Sequence, residues 1–132
     1  MNIVVIDDSM TNLIVLKSLS ANVGNATSCG FSDPDTAVEY LSQNAANAIV
    51  LDYSMPKVNG VQLIEKIRLM PHHKGTPIVM VTHATDQETR MCALRAGASA
   101  FLSKPVNAND FKTLIKNLLE NQNQDIVVGM PN

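Results

Sequence analysis

Two aspartates, Asp7 and Asp8, close the apolar run Ile3-Val4-Val5-Ile6, and a third, Asp52, closes another, Ala48-Ile49-Val50-Leu51. Carboxylates about 4 Å apart repel by roughly 4 kcal/mol at an effective dielectric of 20, so a pair placed where a buried run emerges calls for a cation. If the runs ending in Asp8 and Asp52 are neighbours, three carboxylates converge. They offer only oxygen, the ligand set of a hard metal such as Mg²⁺. Two further apolar runs also end in chemistry. Pro77-Ile78-Val79-Met80-Val81 delivers the hydroxyl of Thr82, and Ala100-Phe101-Leu102 leads to the ammonium of Lys104, which precedes Pro105.

Polar groups at the ends of apolar runs need a frame that brings those ends together. Short apolar runs alternate with helix-period segments, the pattern of a parallel sheet covered by helices on both faces. The first helix is expected from Ser9, carrying Leu13, Leu16 and Leu19 to an end near Gly24, followed by a short strand around Thr27-Ser28-Cys29. The second opens at Ser32 or Asp33 with Pro34 in its first turn, and buries Ala37, Val38 and Leu41 before Gln43-Asn44. A loop over residues 53–60 leads to a third helix marked by Val61, Ile64 and Ile67 and closed by Pro71. The fourth, from Asp86 to Ala96, stops at Gly97, and the fifth opens at Asn107 with Phe111, Leu114, Ile115 and Leu118 on one face. In such a sheet, ligands bind outside the carboxyl ends of the strands. Asp7, Asp8, Asp52, Thr82 and Lys104 all fall there.

The chain has 132 residues, enough for one domain that buries a core without staples. A hydrophobic fraction of 45% and a mean hydropathy of +0.05 fit an ordinary globule. A net charge of -2, with lysines and arginines scattered among acids, gives no electrostatic case for nucleic acid or anionic lipid. No stretch approaches a membrane span and no leader pattern precedes Ile3, so a cytoplasmic location is expected. Cys29 and Cys92 read as two buried small hydrophobes, and His72-His73 as a solvated connection with too few ligands for zinc. Residues 122–132 read as a tail, or as the start of a linker to an absent output domain, Ile126-Val127-Val128 leaning toward the latter.

The acidic pair Asp7-Asp8, the stretch Asp52-Tyr53-Ser54-Met55-Pro56 with Gly60 following, Thr82 after a hydrophobic strand, and Phe101-Leu102-Ser103-Lys104-Pro105 together resemble the receiver domain of bacterial two-component response regulators, including the chemotaxis regulators. The resemblance runs from Met1 to about Glu120, so residues 1–121 are taken as one receiver (phosphoacceptor) domain. It implies an α/β, flavodoxin-like fold with a five-stranded parallel sheet in the order 2-1-3-4-5. It also implies the division of labour. Asp52 would accept a phosphoryl group as an acyl phosphate. Asp8, Asp52 and the backbone carbonyl of Ser54 would bind Mg²⁺, or Mn²⁺ in its place, with Asp7 holding a metal-bound water. Thr82 and Lys104 would contact phosphoryl oxygens, and Thr82 with Phe101 would form a switch that repacks the face made by the fourth helix, fifth strand and fifth helix. Lys104-Pro105 would be a cis peptide.

The partners implied are a sensor histidine kinase or histidine phosphotransfer protein, an output domain or protein, and a second copy in a phosphorylation-dependent homodimer. No enzymatic activity is implied beyond self-phosphorylation and autodephosphorylation. Asp52-Tyr53 and the run from Thr76 to Thr82 are also similar in texture to receivers attached to cyclic-di-GMP phosphodiesterase output domains. Two departures bear on phosphoryl lifetime: His83 stands after Thr82, where the family commonly has a small residue, and Ser54 occupies a tuning position two after Asp52. A haloacid-dehalogenase-type phosphatase would need aspartates two apart after the first strand, whereas this chain has Asp7-Asp8-Ser9. A nucleotide-binding protein would need a glycine-rich phosphate loop, and none follows any strand. A pseudo-receiver working by interaction alone is disfavoured by the intact set of five polar residues.

Overall fold

The computed structural model describes residues 1–83 and 86–123. Five strands, β1 (Asn2–Ile6), β2 (Thr27–Phe31), β3 (Ala48–Asp52), β4 (Ile78–Thr82) and β5 (Ala100–Ser103), alternate with five helices, α1 (Met10–Ala21), α2 (Pro34–Gln43), α3 (Gly60–Arg68), α4 (Gln87–Ala96) and α5 (Ala108–Asn123). All strand pairs are parallel, in the order β2-β1-β3-β4-β5. The expected fold class and strand order are both present. Helix α5 runs past residue 121, and the expected tail lies outside the described residues from residue 124 on.

Successive strand side chains point to opposite faces, so the sheet feeds two cores. On one side Ile3, Val5, Val50, Val79 and Val81 pack with Leu13 and Leu16 of α1 and Phe111 and Ile115 of α5. On the other, Val4, Ile6, Ile49, Leu51, Ile78 and Met80 pack with Leu41 of α2, Leu63, Ile64 and Ile67 of α3 and Ala93 of α4. Burying each such side chain contributes about 1.5–3 kcal/mol, which explains why both faces of the central strands are apolar.

The helix starts follow local chemistry. Ser9, Asp33, Asn59 and Asp86 each accept a backbone N–H of the first turn, and Asn59 forms a reciprocal capping box with Gln62. Helix α4 ends at Gly97, with φ at +120°. Strand β2 extends two residues beyond the expected Thr27-Ser28-Cys29, through Gly30 to Phe31. Gly30 signals a break in a sequence, but here it makes room: a Cβ on it would lie 2.5 Å from Lys17 Cδ of α1.

Two expectations fail. Cys92 is exposed, because α4 buries only Ala93, while Cys29 is half-buried. His73 is no part of a solvated connection but fully buried, in a single 3-10 turn (Pro71–His73) between α3 and β4. Its Nε2 lies 2.8 Å from Leu41 O and 3.0 Å from Asn44 O, so it must donate, while Nδ1 accepts from the Thr76 hydroxyl at 3.0 Å. The ring thereby satisfies carbonyls left open at the end of α2. Beside it, Arg68 donates to the His73, Lys74 and Gly97 carbonyls, tying α3 to the turn before β5.

Burial pushes the His73 imidazole below 6.5, against the pull of its carbonyl partners. As pH falls below 6.5, the unfolded chain takes up this proton before the folded one, so stability present at neutral pH is lost toward acid. Urea denaturation should show a falling midpoint from pH 7 to 5. In His73→Leu that acid slope should be reduced, and stability at pH 7.5 lowered by about 1–3 kcal/mol because Asn44 O loses its donor and Leu41 O keeps only His72.

Candidate functional site

The register of the sheet brings the polar strand ends to one rim. Ile6 pairs with Leu51, Asp52 with Val81, and Thr82 with Ser103. Asp7 follows β1, Lys104 follows β5, and the Lys104 amide donates to Thr82 O at 3.1 Å. Carboxylate oxygens of Asp7, Asp8 and Asp52 all lie within 4.8 Å of one another. Asp7 and Asp52 are buried and Asp8 is exposed, so the cluster opens to solvent on the Asp8 side.

Lys104 Nζ approaches Asp52 Oδ1 at 2.9 Å. That oxygen nevertheless lacks a well-aligned hydrogen bond, so the contact is an attraction between charges and leaves directional acceptor capacity unused. Asp7 Oδ1 accepts the Ser9 amide at 2.9 Å, while Oδ2 is buried with no hydrogen-bond partner among the described residues. Ser9, rather than either aspartate, caps α1 by accepting the Asn12 amide. A buried orphan carboxylate oxygen is costly unless something binds it. The orphan oxygens, the all-oxygen donor set and the spacing fit a small divalent cation such as Mg²⁺.

Burial pushes the Asp7 carboxyl above its ordinary value. The Ser9 amide and Lys104 oppose the rise, and the charges of Asp52 and Asp8 add to it. Charging it in the folded protein without metal is therefore harder than charging an exposed carboxyl.

The loop after Asp52 is held from both ends. The Gly60 amide donates to Tyr53 O at 2.7 Å, and a Cβ on Gly60 would lie 2.9 Å from Tyr53 Cα and 3.1 Å from Asp52 O. Only glycine lets α3 start this close to the backbone that carries Asp52. Lys57 reaches Asp33 at 3.7 Å and Asp35 at 3.8 Å, linking this loop to the start of α2. Ser54 is exposed within it.

The other sequence-derived residues lie around the same rim. Thr82 is buried at the end of β4, and the Lys104-Pro105 peptide is cis. His83 is exposed and, with Asn12, Lys104 and Pro105, lines a groove of about 280 Å³ between α1 and the start of α5. Phe101 sits two residues before the site end of β5, half-buried against the core on the α3 side. Three residues escaped the sequence reading: Lys57, Asn12 and Arg90, whose guanidinium lies over the Phe101 ring. Lys57 and Arg90 carry no period or spacing that marks them. Asn12 alone has a hint, standing one helical turn after the Ser9 cap.

Comparison with known proteins gives the same picture. The family description for the response regulator receiver domain matches residues 3–116. The cyclic di-GMP phosphodiesterase response regulator RpfG of Xanthomonas campestris pv. campestris is 30% identical over 94% of this chain, which spans only 33% of that relative's length. Chemotaxis protein CheY of Pseudomonas aeruginosa is 28% identical over 93% of this chain and 99% of its own. The crystal structure of a CheY-like receiver domain protein from Methanospirillum hungatei superposes with a TM-score of 0.86 at 26% identity, covering 94% of this chain and 97% of the other. No helix among the described residues is long and apolar enough to cross a membrane.

Removing the Asp7 charge should relieve the metal-free site. Asp7→Asn should raise thermal stability without metal at pH 7 by about 1 kcal/mol, a few degrees in Tm. The wild type should lose stability as pH rises from 3.8 through the raised Asp7 value, because there the folded state holds the extra proton. Adding Mg²⁺ should stabilise the wild type and leave Asp7→Asn nearly unmoved, read by calorimetry in chelator and in excess metal.

Proposed function

From the premise that this chain belongs to the response regulator receiver family of two-component signalling, we propose that Asp52 is its phosphoacceptor, supplied by a histidine kinase or a histidine phosphotransfer protein. The observation that carries this is the 2.9 Å approach of Lys104 to an Asp52 carboxylate inside a cluster of three acids. Asp52 has the position a nucleophile needs, at a strand end with an oxygen not committed to a directed hydrogen bond.

In the transfer, an Asp52 oxygen bonds to the phosphorus of a phosphohistidine as the P–N bond breaks. The electron pair leaves with the imidazole nitrogen, which takes up a proton. Asp7, Asp8, Asp52 and the Ser54 carbonyl would hold Mg²⁺, which supplies positive charge to the acids and to the incoming phosphoryl oxygens. Lys104 exchanges its contact with Asp52 for one with a phosphoryl oxygen. Thr82 donates its hydroxyl to another, and its movement opens space for Phe101 to turn inward, repacking the face of α4, β5 and α5. The domain is thus a carrier that converts a bond into a shape. That shape is read by an output domain or protein.

His83 stands where water must enter for hydrolysis. Its exposed imidazole flanks the groove beside Lys104, and a bulky group there obstructs the in-line approach to phosphorus. The same imidazole could assist that water as a base, but obstruction dominates where leaving-group departure is already metal-assisted.

Treatment with acetyl phosphate should add one phosphoryl group, seen by intact-protein mass spectrometry, only with a divalent ion present and not in Asp52→Asn. Modification that persists in Asp52→Asn, or in chelator, would refute the assignment. In His83→Ala the phosphoryl group should be lost roughly 2–10-fold faster, about 0.4–1.4 kcal/mol in barrier. Slower loss in that variant would instead make His83 a helper of the water.

A further inference from the structure

Phe101 does not rest on apolar neighbours alone. The guanidinium carbon of Arg90, one turn into α4, lies 6.0 Å from the centroid of its ring. Arg90 Nε is buried and has no hydrogen-bond partner among the described residues, and no ion pair engages this guanidinium there. The acid whose carboxyl feels its charge, Asp86, spends its Oδ2 on the Thr89 amide and hydroxyl at 2.9 and 2.7 Å to cap α4. A half-buried guanidinium without an anion finds its compensation in the negative face of an aromatic ring. The pair is not held together by confinement, because a groove of about 410 Å³ lined by Gln87, Arg90, Met91, Leu94 and Phe101 adjoins it. Either side chain has room to leave.

We propose that Arg90 is a positioning residue that holds the Phe101 ring in the conformation of the unphosphorylated protein. This rests on reading Phe101 as the element that turns inward when Asp52 is phosphorylated. A ring that turns inward leaves the Arg90 guanidinium with neither an aromatic face nor an anion. Arg90 therefore weights the equilibrium toward the resting state, and by reciprocity its loss must favour whatever occupies the Asp52 site in the active state. Its role is to set a threshold. A receiver with this pair answers a given phosphoryl load less readily than the same receiver without it.

The test uses protein labelled with fluorophenylalanine at its three phenylalanines, Phe31, Phe101 and Phe111, titrated with beryllofluoride and Mg²⁺ and followed by fluorine NMR. Arg90→Met, which keeps the length and removes the charge, should move the Phe101 resonance alone toward its beryllofluoride-bound position. It should also tighten beryllofluoride by roughly 2–5-fold, the worth of a weak cation–π contact. Arg90→Lys should restore most of both. An unmoved Phe101 resonance with unchanged affinity in Arg90→Met overturns the proposal, as does a shift of all three resonances, which marks general loosening. A wild type that binds beryllofluoride through Asp52 without moving Phe101 removes the switch reading and this inference together. A wild type that does not bind it removes the phosphoacceptor assignment itself.

Discussion

Like-charge crowding is the constraint around which the molecule is arranged. Three carboxylates within 4.8 Å, two of them buried, confront the ammonium of Lys104. Such a cluster persists only because the sheet fixes it: Asp7 and Asp52 leave adjacent strands, while Lys104 arrives from a strand two places away. A slip of one residue between β3 and β4 would turn Asp52 to the other face and break the pair with Lys104. The apolar strands therefore do more than fill a core. Their burial keeps in place a group of charges that would otherwise disperse. The strain that remains, visible in the orphan Asp7 oxygen and its raised carboxyl, is of the kind a bound cation relieves.

The strands that hold the site were legible because they are buried on both faces and so read as unbroken apolar runs. The helix starts at Ser9 and Asp33 were legible because capping is a local transaction between residues three apart. The polar residues at the strand ends could be named for the same reason: an acid or lysine terminating an apolar run has few reasons to be there. What escaped depends on partners distant in sequence. His73 is buried because the end of α2, some thirty residues earlier, presents it with two open carbonyls. Gly30 sits inside a strand because Lys17 crosses it. Cys92 is exposed because α4 buries little, which its low apolar content signalled but its cysteine obscured. Arg90 carried no mark at all, since its meaning comes only from the ring beneath it.

The two faces of the sheet carry separate cores. The helices α1 and α5 close one core and α2, α3 and α4 the other, with no core side chain shared between them among the described residues. The charge cluster sits at the rim where both meet. The groove beside Lys104 opens toward α1, and the ring of Phe101 faces the opposite core. The groove beside Lys104 and the ring of Phe101 thus lie on different surfaces.

Position within the sheet has a mechanical meaning as well. Strands β1, β3 and β4 each have two hydrogen-bonded neighbours, whereas β5, which carries Phe101 and leads to Lys104, has one. It is also the shortest strand and is only half-buried. To displace an interior strand, two ladders must yield. To displace β5, one does. The sheet is therefore stiffer around Asp52 than around Phe101: a push at Lys104 is absorbed by the edge rather than by the centre, along a gradient of stiffness across the strands.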